Sequence, residues 1–217
     1  MAFTDRLISP EPPNLPLAPD EYGRPYHDQH SNVLRLFFNR LFNALTALFG
    51  PNGARFLDTP HALLMSNQDQ TNPSTTAANT ITYNQPVIAQ GIEVRNGGEL
   101  WFSYPGQYLV TFTLQVSNRG NAEHLFEVWA AYNGTNYPLS NTRFDIPARK
   151  NVSQWGHSVP AITGIFTVSD PSADYLSIKW WSDSTLVFLE HYAENTTPTR
   201  PAIPSVILTV NFVSRLP

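Results

Sequence analysis

The chain has no cysteine, which excludes disulfides, thiolate metal sites and cysteine nucleophiles. Charged residues are scarce at 14% of 217 residues, and only two of the 13 cationic residues are lysines, Lys150 and Lys179. A net charge of −4 without any basic run predicts no nucleic-acid binding. The chain also lacks an apolar run of the ~20 residues that a membrane span needs, and its start lacks the apolar core of a signal peptide. We therefore expect no membrane insertion, and assembly inside a cell.

The clearest helical pattern runs from Val33 to Phe49. Large apolar side chains repeat there at intervals of four and three residues, which is the spacing of a coiled-coil seam. The predicted seam consists of Leu34, Phe38, Leu41, Leu45 and Leu48. Ser31 is placed to cap the helix and Gly50-Pro51 to end it, so we assign residues 31–50 to this segment.

Two interpretations of this helix remain open. It packs on the chain's own domain, or it associates with copies of itself, most simply as three helices. A seam of two heptads is marginal alone, so the second interpretation needs support from the domain that follows.

Residues 1–30 form a proline-rich segment with six prolines. Proline fixes φ and biases the preceding residue toward extended geometry, so we predict an extended arm with no core of its own. Apolar residues are nevertheless scattered through it, namely Phe3, Leu7, Ile8, Leu15, Leu17, Tyr22 and Tyr26. They favour an arm that becomes ordered against a partner or a neighbouring subunit, and the alternative is a solvated tail.

Residues 51–217 have the pattern of an antiparallel β domain. Apolar and polar residues alternate in Gln107–Ser117 and again in Val206–Val213, and turn signals such as Asn133-Gly134 separate the strands. Many short strands without a second helix predict a sandwich or barrel. The predicted core residues are Tyr108, Val110, Phe112, Leu114, Val206, Leu208, Val210 and Phe212. Some strands, such as Leu125–Tyr132, carry large side chains on both faces, so we expect the second face to pack against other copies.

No motif predicts catalysis, and we assign no catalytic residue, no metal site and no cofactor. His157 and Ser158 are adjacent and cannot form a triad, while His27 and His30 lack a third ligand nearby. Phosphate-binding and dinucleotide-binding loops are also missing. Exposed tryptophans can build a sugar platform, but core or interface packing is favoured for Trp129, Trp155, Trp180 and Trp181.

The run Gly91–Gln115, GIEVRNGGELWFSYPGQYLVTFTLQ, resembles the jelly-roll signature of tumour necrosis factor-like and complement-type globular domains. In the resemblance, Gly106 and Tyr108 open the long strand that carries Phe112. It covers roughly residues 60–213 and implies an antiparallel jelly-roll sandwich. Calcium, which some complement-type domains bind, is not expected because no acidic cluster occurs.

The stretch DQHSNVLRLFFNRLFNALTALFGPNG followed by such a domain is similar to virion structural proteins of tailed bacteriophages. This resemblance covers about residues 27–217. It implies a homotrimer on the virion surface, assembled in the host bacterial cytoplasm. Residues 1–30 then become an anchor to the major capsid protein or to a tail or portal-proximal virion protein.

Two functions follow from this resemblance. The first is a capsid decoration (cement) or head-fibre protein. The second is a short tail fibre or tail-attached receptor-binding protein that recognises host-surface glycan. The second predicts a glycan groove at the loops Gly120–His124, Asn133–Pro138 and Ser182–Thr185.

Overall fold

The computed structural model describes residues 13–15, 23–49 and 59–216. The chain divides into two units, Met1–Asp58 and Thr59–Pro217, which are considered separately. The first contains one helix, α1 (Arg24–Phe49), and the second is built from strands. The chain is therefore mainly β with a single helix in the described residues, in agreement with the predicted antiparallel sandwich.

Helix α1 begins seven residues before the predicted cap at Ser31, so the expectation of an extended chain through residue 30 is wrong for residues 24–30. The reason is that Pro25 lies in the first turn, where a helix needs no N–H from it and where its fixed φ is already helical. An exposed Arg24–Asp28 pair, with Nε and Oδ2 3.8 Å apart, spans that turn. The predicted Gly50-Pro51 end lies outside the described residues.

The second unit starts at Thr59 and contains eighteen strands, most of them short. They are β1 His61–Ser66, β2 Gln70–Thr71, β3 Asn79–Thr80, β4 Gln85–Gln90, β5 Ile92–Arg95, β6 Glu99–Phe102, β7 Gly106–Leu114, β8 Val116–Asn118, β9 His124–Tyr132, β10 Thr135–Asn136, β11 Thr142–Ile146, β12 Gly156–Ser158, β13 Ala161–Val168, β14 Tyr175–Ser182, β15 Val187–Leu189, β16 Asn195–Thr196, β17 Thr199–Arg200 and β18 Val206–Ser214.

Two antiparallel sheets dominate the unit. The first sheet has the order β13-β7-β18-β1-β4. The second follows β10-β9-β14-β6-β5, with β11 also paired to β9 and β3 to β14. A smaller third sheet, β12-β8-β15-β2, and the hairpin β16-β17 complete the set.

Inward-facing side chains of the first two sheets form one buried cluster. Phe102 of the second sheet meets Tyr108 of the first with ring centroids 4.5 Å apart, and Phe126 stacks on the fully buried Trp180 at 5.6 Å. Burial alternates residue by residue along β7, as the two-residue period of a strand requires. The sandwich thus leaves one outer face on each sheet.

Candidate functional site

The predicted core residues lie in β7 and β18 at the centre of the first sheet. Seven of the eight are at most 5% exposed, while Phe212 is half-buried and packs against the cluster. Tyr108 also donates its hydroxyl to the carbonyl of Tyr104 at 2.8 Å. These side chains therefore position the outer face of the first sheet and do not themselves form a binding site.

The predicted helix seam is only partly buried in α1. Leu34, Leu41 and Leu48 are half-buried, whereas Phe38 is 58% and Leu45 43% exposed. Phe42, which is 68% exposed, lies between these last two on the helix surface. Phe38, Phe42 and Leu45 thus form an exposed apolar strip.

Only two of the predicted arm residues fall in the described part of the chain. Leu15 is 42% exposed, and Tyr26 lies in the first turns of α1, where its ring stacks on His30 at 6.0 Å. The other predicted arm residues lie outside the described residues, namely Phe3, Leu7, Ile8, Leu17 and Tyr22.

The outer face of the first sheet, which we name the neutral face, has no Asp, Glu, Lys or Arg at its outward positions. These positions follow from the alternating burial of the strands and from their register. They are His61, Leu63, Met65, Ile88, Gln107, Leu109, Thr111, Thr113, Ala161, Thr163, Ile165, Thr167, Ile207, Thr209 and Asn211. His61 is the one ionisable residue in this set, and its Nδ1 lies 2.8 Å from the carbonyl oxygen of Thr59.

The outer face of the second sheet, the charged face, carries seven charged residues. Its outward positions are Glu93, Arg95, Glu99, Trp101, Glu127, Trp129, Arg143, Asp145, Tyr175, Lys179 and Trp181. Arg95 pairs with Glu93 at 2.7 Å and lies 4.6 Å above the Trp101 ring. Such alternating signs are typical of a face that stays in water, so they do not favour the expected packing of the outer side of β9 against other copies.

Four polar side chains from distant parts of the sequence meet on the third sheet. Ser117 donates to Glu190 and lies 2.8 Å from Nδ1 of His157, and the Tyr192 hydroxyl lies 3.3 Å from the same nitrogen. Burial raises the pKa of Tyr192 to about 12, and its hydrogen bond to Glu190 adds to this effect. Sequence reasoning missed this cluster because Ser117, His157 and the neighbouring pair Glu190 and Tyr192 lie 33 or more positions apart and share no motif.

The geometry of this cluster differs from that of a catalytic triad. In a triad, serine and carboxylate occupy opposite nitrogens of the imidazole. Here the Ser117 hydroxyl and the Glu190 carboxylate both lie near Nδ1 of His157, the carboxylate oxygen at 3.7 Å. Ser117 is also only 1% exposed. The arrangement therefore links β8, β12 and the segment after β15 without presenting a nucleophile.

Only two of the three loops predicted to form a glycan groove meet. Asp183 accepts from the backbone of Leu125 at 3.0 Å and lies 3.2 Å from Nδ1 of His124, so it joins two of these loops. The loop Asn133–Pro138 follows the other end of β9, and nine residues of strand separate the ends by roughly 27 Å. The single groove expected from the sequence is thus wrong.

The tryptophans are dispersed as well. Trp180 is 0% exposed in the core, and Trp155 covers the Arg119 guanidinium at 4.4 Å. Trp129 and Trp181 donate to Asn136 and to the Thr75 carbonyl at 2.8 and 2.7 Å. Core packing, one part of the favoured interpretation, is thus confirmed for Trp180, while the other three make local contacts at the surface.

No group of three potential metal ligands occurs among the described residues. In the same part of the chain, no helix is long and apolar enough to span a membrane. Comparison with protein-family models and with curated proteins found no match.

Proposed function

We propose that the chain is a structural protein of a phage virion, a homotrimer that serves as a capsid decoration or head-fibre protein. The similarity of residues 27–217 to such proteins supports the virion role. The absence of charge on the neutral face is the structural observation that supports assembly into a trimer. It lets copies pack against each other without removing any carboxylate, ammonium or guanidinium group from water.

The neutral face has the composition of a contact surface between subunits. Leu63, Met65, Leu109 and Ile207 are only half-buried, and threonines fill the rows between them. The hydroxyl groups of Thr111 and Thr163 form a hydrogen bond with each other, with their oxygens 3.0 Å apart. A partner surface of the same kind would leave no charge unpaired, which favours a second copy over a charged partner.

The exposed strip on α1 supplies a second apolar surface for the same assembly. Helices from three copies would bury Phe38, Phe42 and Leu45 against one another. Cyclic trimers use contacts between two different patches of each subunit, so additional apolar surfaces on one chain suit a closed ring.

We further propose that the sandwich is a tumour necrosis factor-like jelly roll. The core strand orders β13-β7-β18-β1 and β11-β9-β14-β6 support this assignment. Every connection between consecutive core strands crosses from one sheet to the other, except that from β9 to β11. This is the path of a chain wound as two Greek keys.

In this proposal, residues 1–30 anchor the trimer at the virion surface, on the major capsid protein or on a tail or portal-proximal protein. Three arms on one trimer multiply a weak contact by avidity. A subunit that binds only the assembled shell also stabilises it by mass action.

The alternative is a short tail fibre or tail-attached receptor-binding protein that recognises host-surface glycan. One observation favours it, namely the joined loops at His124 and Asp183, beside which the Arg119 guanidinium is held between Trp155 and Phe188 at 4.4 and 4.0 Å. A glycan array with the full chain tests this alternative, and binding lost in Trp155→Ala would support it.

Two measurements test the main proposal. Sedimentation equilibrium should give three times the 24.3 kDa of one chain, and a monomer or dimer would contradict the trimer. Antibody against the β domain should decorate the head of intact particles in electron micrographs. Labelling confined to the tail would transfer the assignment to the alternative, and no labelling of particles would overturn the virion role.

A further inference from the structure

Strand β13 forms an open edge of the first sheet. Ala161–Val168 pairs on one side with β7 through all eight residues, with no shift in register. The Leu114 N–H donates to the Pro160 carbonyl at 3.0 Å. This hydrogen bond shows which residues of β13 direct their backbone groups toward β7 and which direct them away. By alternation, the backbone groups of Ala161, Thr163, Ile165 and Thr167 point away from β7. They have no hydrogen-bond partner among the described residues.

The opposite edge of the same sheet is protected, whereas β13 is not. Strand β4 contains Pro86, and its pairing shifts register between Leu63 and Leu64. Proline, bulges and charge are the usual means of blocking strand addition at an edge. The sequence of β13, AITGIFTV, has none of them. It is a regular, uncharged edge on which a further strand can pair.

A cavity of about 280 Å³ opens beside this edge, between β13 and the loop from β10 to β11. Its lining is uncharged and includes the core side chains of Phe112, Ala130 and Phe166 and the loop residues Tyr137 and Leu139. On β13 the inward positions alternate as Ile162, Gly164, Phe166 and Val168. Gly164 lines this space without a side chain, and a Cβ at this position would lie 3.2 Å from the Phe166 ring.

The loop that forms the outer wall is held in place by hydrogen bonds. The Ser140 hydroxyl donates to the Tyr137 carbonyl at 2.8 Å and accepts from the Ala130 N–H at 3.1 Å. Leu139 has φ of 60° and is fully exposed, an unusual combination for leucine that places an apolar side chain at the rim. The cavity is thus already formed without a ligand.

We propose that β13 accepts an extended peptide segment as an additional strand, with one large apolar side chain of that segment filling the cavity opposite Gly164. Directly opposed residues of paired strands point to the same face of a sheet. The residue opposite Gly164 therefore points inward, toward the cavity lined by Gly164, Phe166 and the loop from β10 to β11. Main-chain hydrogen bonds supply affinity, and the cavity selects the side chain.

The geometry also defines the rest of the segment. Residues that flank the large one on the inward side meet Ile162 and Phe166, so they must be small or medium-sized. Residues that face outward join the neutral face, so they are uncharged. The ligand class is an uncharged, proline-free strand with a single aromatic or branched aliphatic anchor. This inference does not depend on the virion role.

A synthetic peptide tests the proposal on the full chain. The probe is a short acetylated peptide of alternating valine and threonine with a central phenylalanine, and its affinity is measured by fluorescence anisotropy. Replacing the phenylalanine by alanine, or N-methylating the two amides that face the edge, should each weaken binding by about tenfold or more. Equal binding of the methylated peptide would overturn strand addition, as would no binding of the parent peptide at millimolar concentration.

Two matched lysine variants locate the site. Ile165→Lys places a charge on the free edge, and Val87→Lys does the same on β4, at nearly equal exposure of 58% and 55%. We expect the first to weaken peptide binding by about tenfold and the second to change it less than about twofold. Equal effects would contradict the assignment to β13.

Gly164→Val tests the cavity, because a side chain there meets the Phe166 ring at 3.2 Å, so it must shift that ring and narrow the space for the anchor. This variant should bind the phenylalanine peptide and the alanine peptide with equal affinity. An unchanged melting temperature would show that the variant is still folded. A preference that persists would contradict the cavity assignment. If Ile165→Lys changes the subunit mass and the parent peptide does not bind, the edge is a contact between copies and the proposal is wrong.

Discussion

The neutral face and the charged face cover the same core, yet they differ in charge. The outward positions of the first sheet contain no acidic or basic residue apart from His61, whereas those of the second carry seven charges of both signs. Both faces belong to one sandwich, so neither folding nor core packing explains the difference. The difference is the one expected if the neutral face is buried against other copies and the charged face stays in water, as proposed above.

The largest effect is expected from a charge placed on the neutral face. Leu109 lies in β7 near the centre of the sheet, between Ile165 on β13 and Asn211 on β18. In the proposed trimer, Leu109→Lys would bury an unpaired ammonium group in every subunit contact. We expect the trimer to dissociate, with a loss of about 3–5 kcal/mol per buried charge. Sedimentation velocity across a concentration series measures the association constant.

Asp145→Lys is the matched control, since it introduces the same side chain on the charged face. Its trimer should remain within about 0.5 kcal/mol of the unmodified protein. Equal dissociation in both variants would remove the distinction between the faces. An intact Leu109→Lys trimer would show that copies meet elsewhere.

A second comparison concerns Asp174, a buried charge in the turn between β13 and β14. Asp174 is 7% exposed and accepts from the N–H groups of Ser169 and Asp170, both at 2.8 Å, and from Asn133 at 2.9 Å. Asp174→Ala leaves these donors without a partner, so unfolding should become easier by about 2–3 kcal/mol. Urea denaturation measures this change. A loss below ~0.5 kcal/mol would show that water replaces the carboxylate.

The same carboxylate predicts a pH dependence. Burial alone raises the pKa of Asp174, but hydrogen bonds from Asp170, Tyr132, Asn133 and Ser169 outweigh it and hold the pKa at about 2. The folded pKa lies below the ordinary value of 3.8, so the stabilisation is complete above pH ~4 and is lost as pH falls toward 2. Between pH 5 and 2 the unmodified protein should lose about 2 kcal/mol more than Asp174→Ala. Parallel pH profiles would contradict this assignment.

Local patterns were sufficient to predict the main strands and the core. The alternation in Gln107–Ser117 needs only the period of a strand, and it places Tyr108, Val110, Phe112 and Leu114 inside. Strand β4 was not recognised because nearly all of it is exposed and Pro86 interrupts it. The start of α1 was misplaced because the prolines of residues 1–30 predicted an extended chain up to a cap at Ser31, although a first-turn proline such as Pro25 is compatible with a helix.

The sites themselves depend on pairing between distant strands, which sequence spacing does not encode. The neutral face becomes visible only when β13, β7, β18, β1 and β4 are placed in register. The cluster of Ser117, His157, Glu190 and Tyr192 likewise requires the third sheet. The expected glycan groove failed for the same reason, since the ends of β9 carry different loops.

The smallest effect should come from removing a charge on the charged face. Glu93 pairs with Arg95 at 2.7 Å, but both side chains are at least half exposed. Water and salt screen such a pair, so Glu93→Gln should alter the free energy of unfolding by less than about 0.5 kcal/mol and leave the trimer intact. Thermal unfolding and sedimentation test this in one preparation. Dissociation caused by Glu93→Gln would mean that the charged face also contacts another copy. The difference between the two faces would then be a difference between an uncharged and a charged subunit interface.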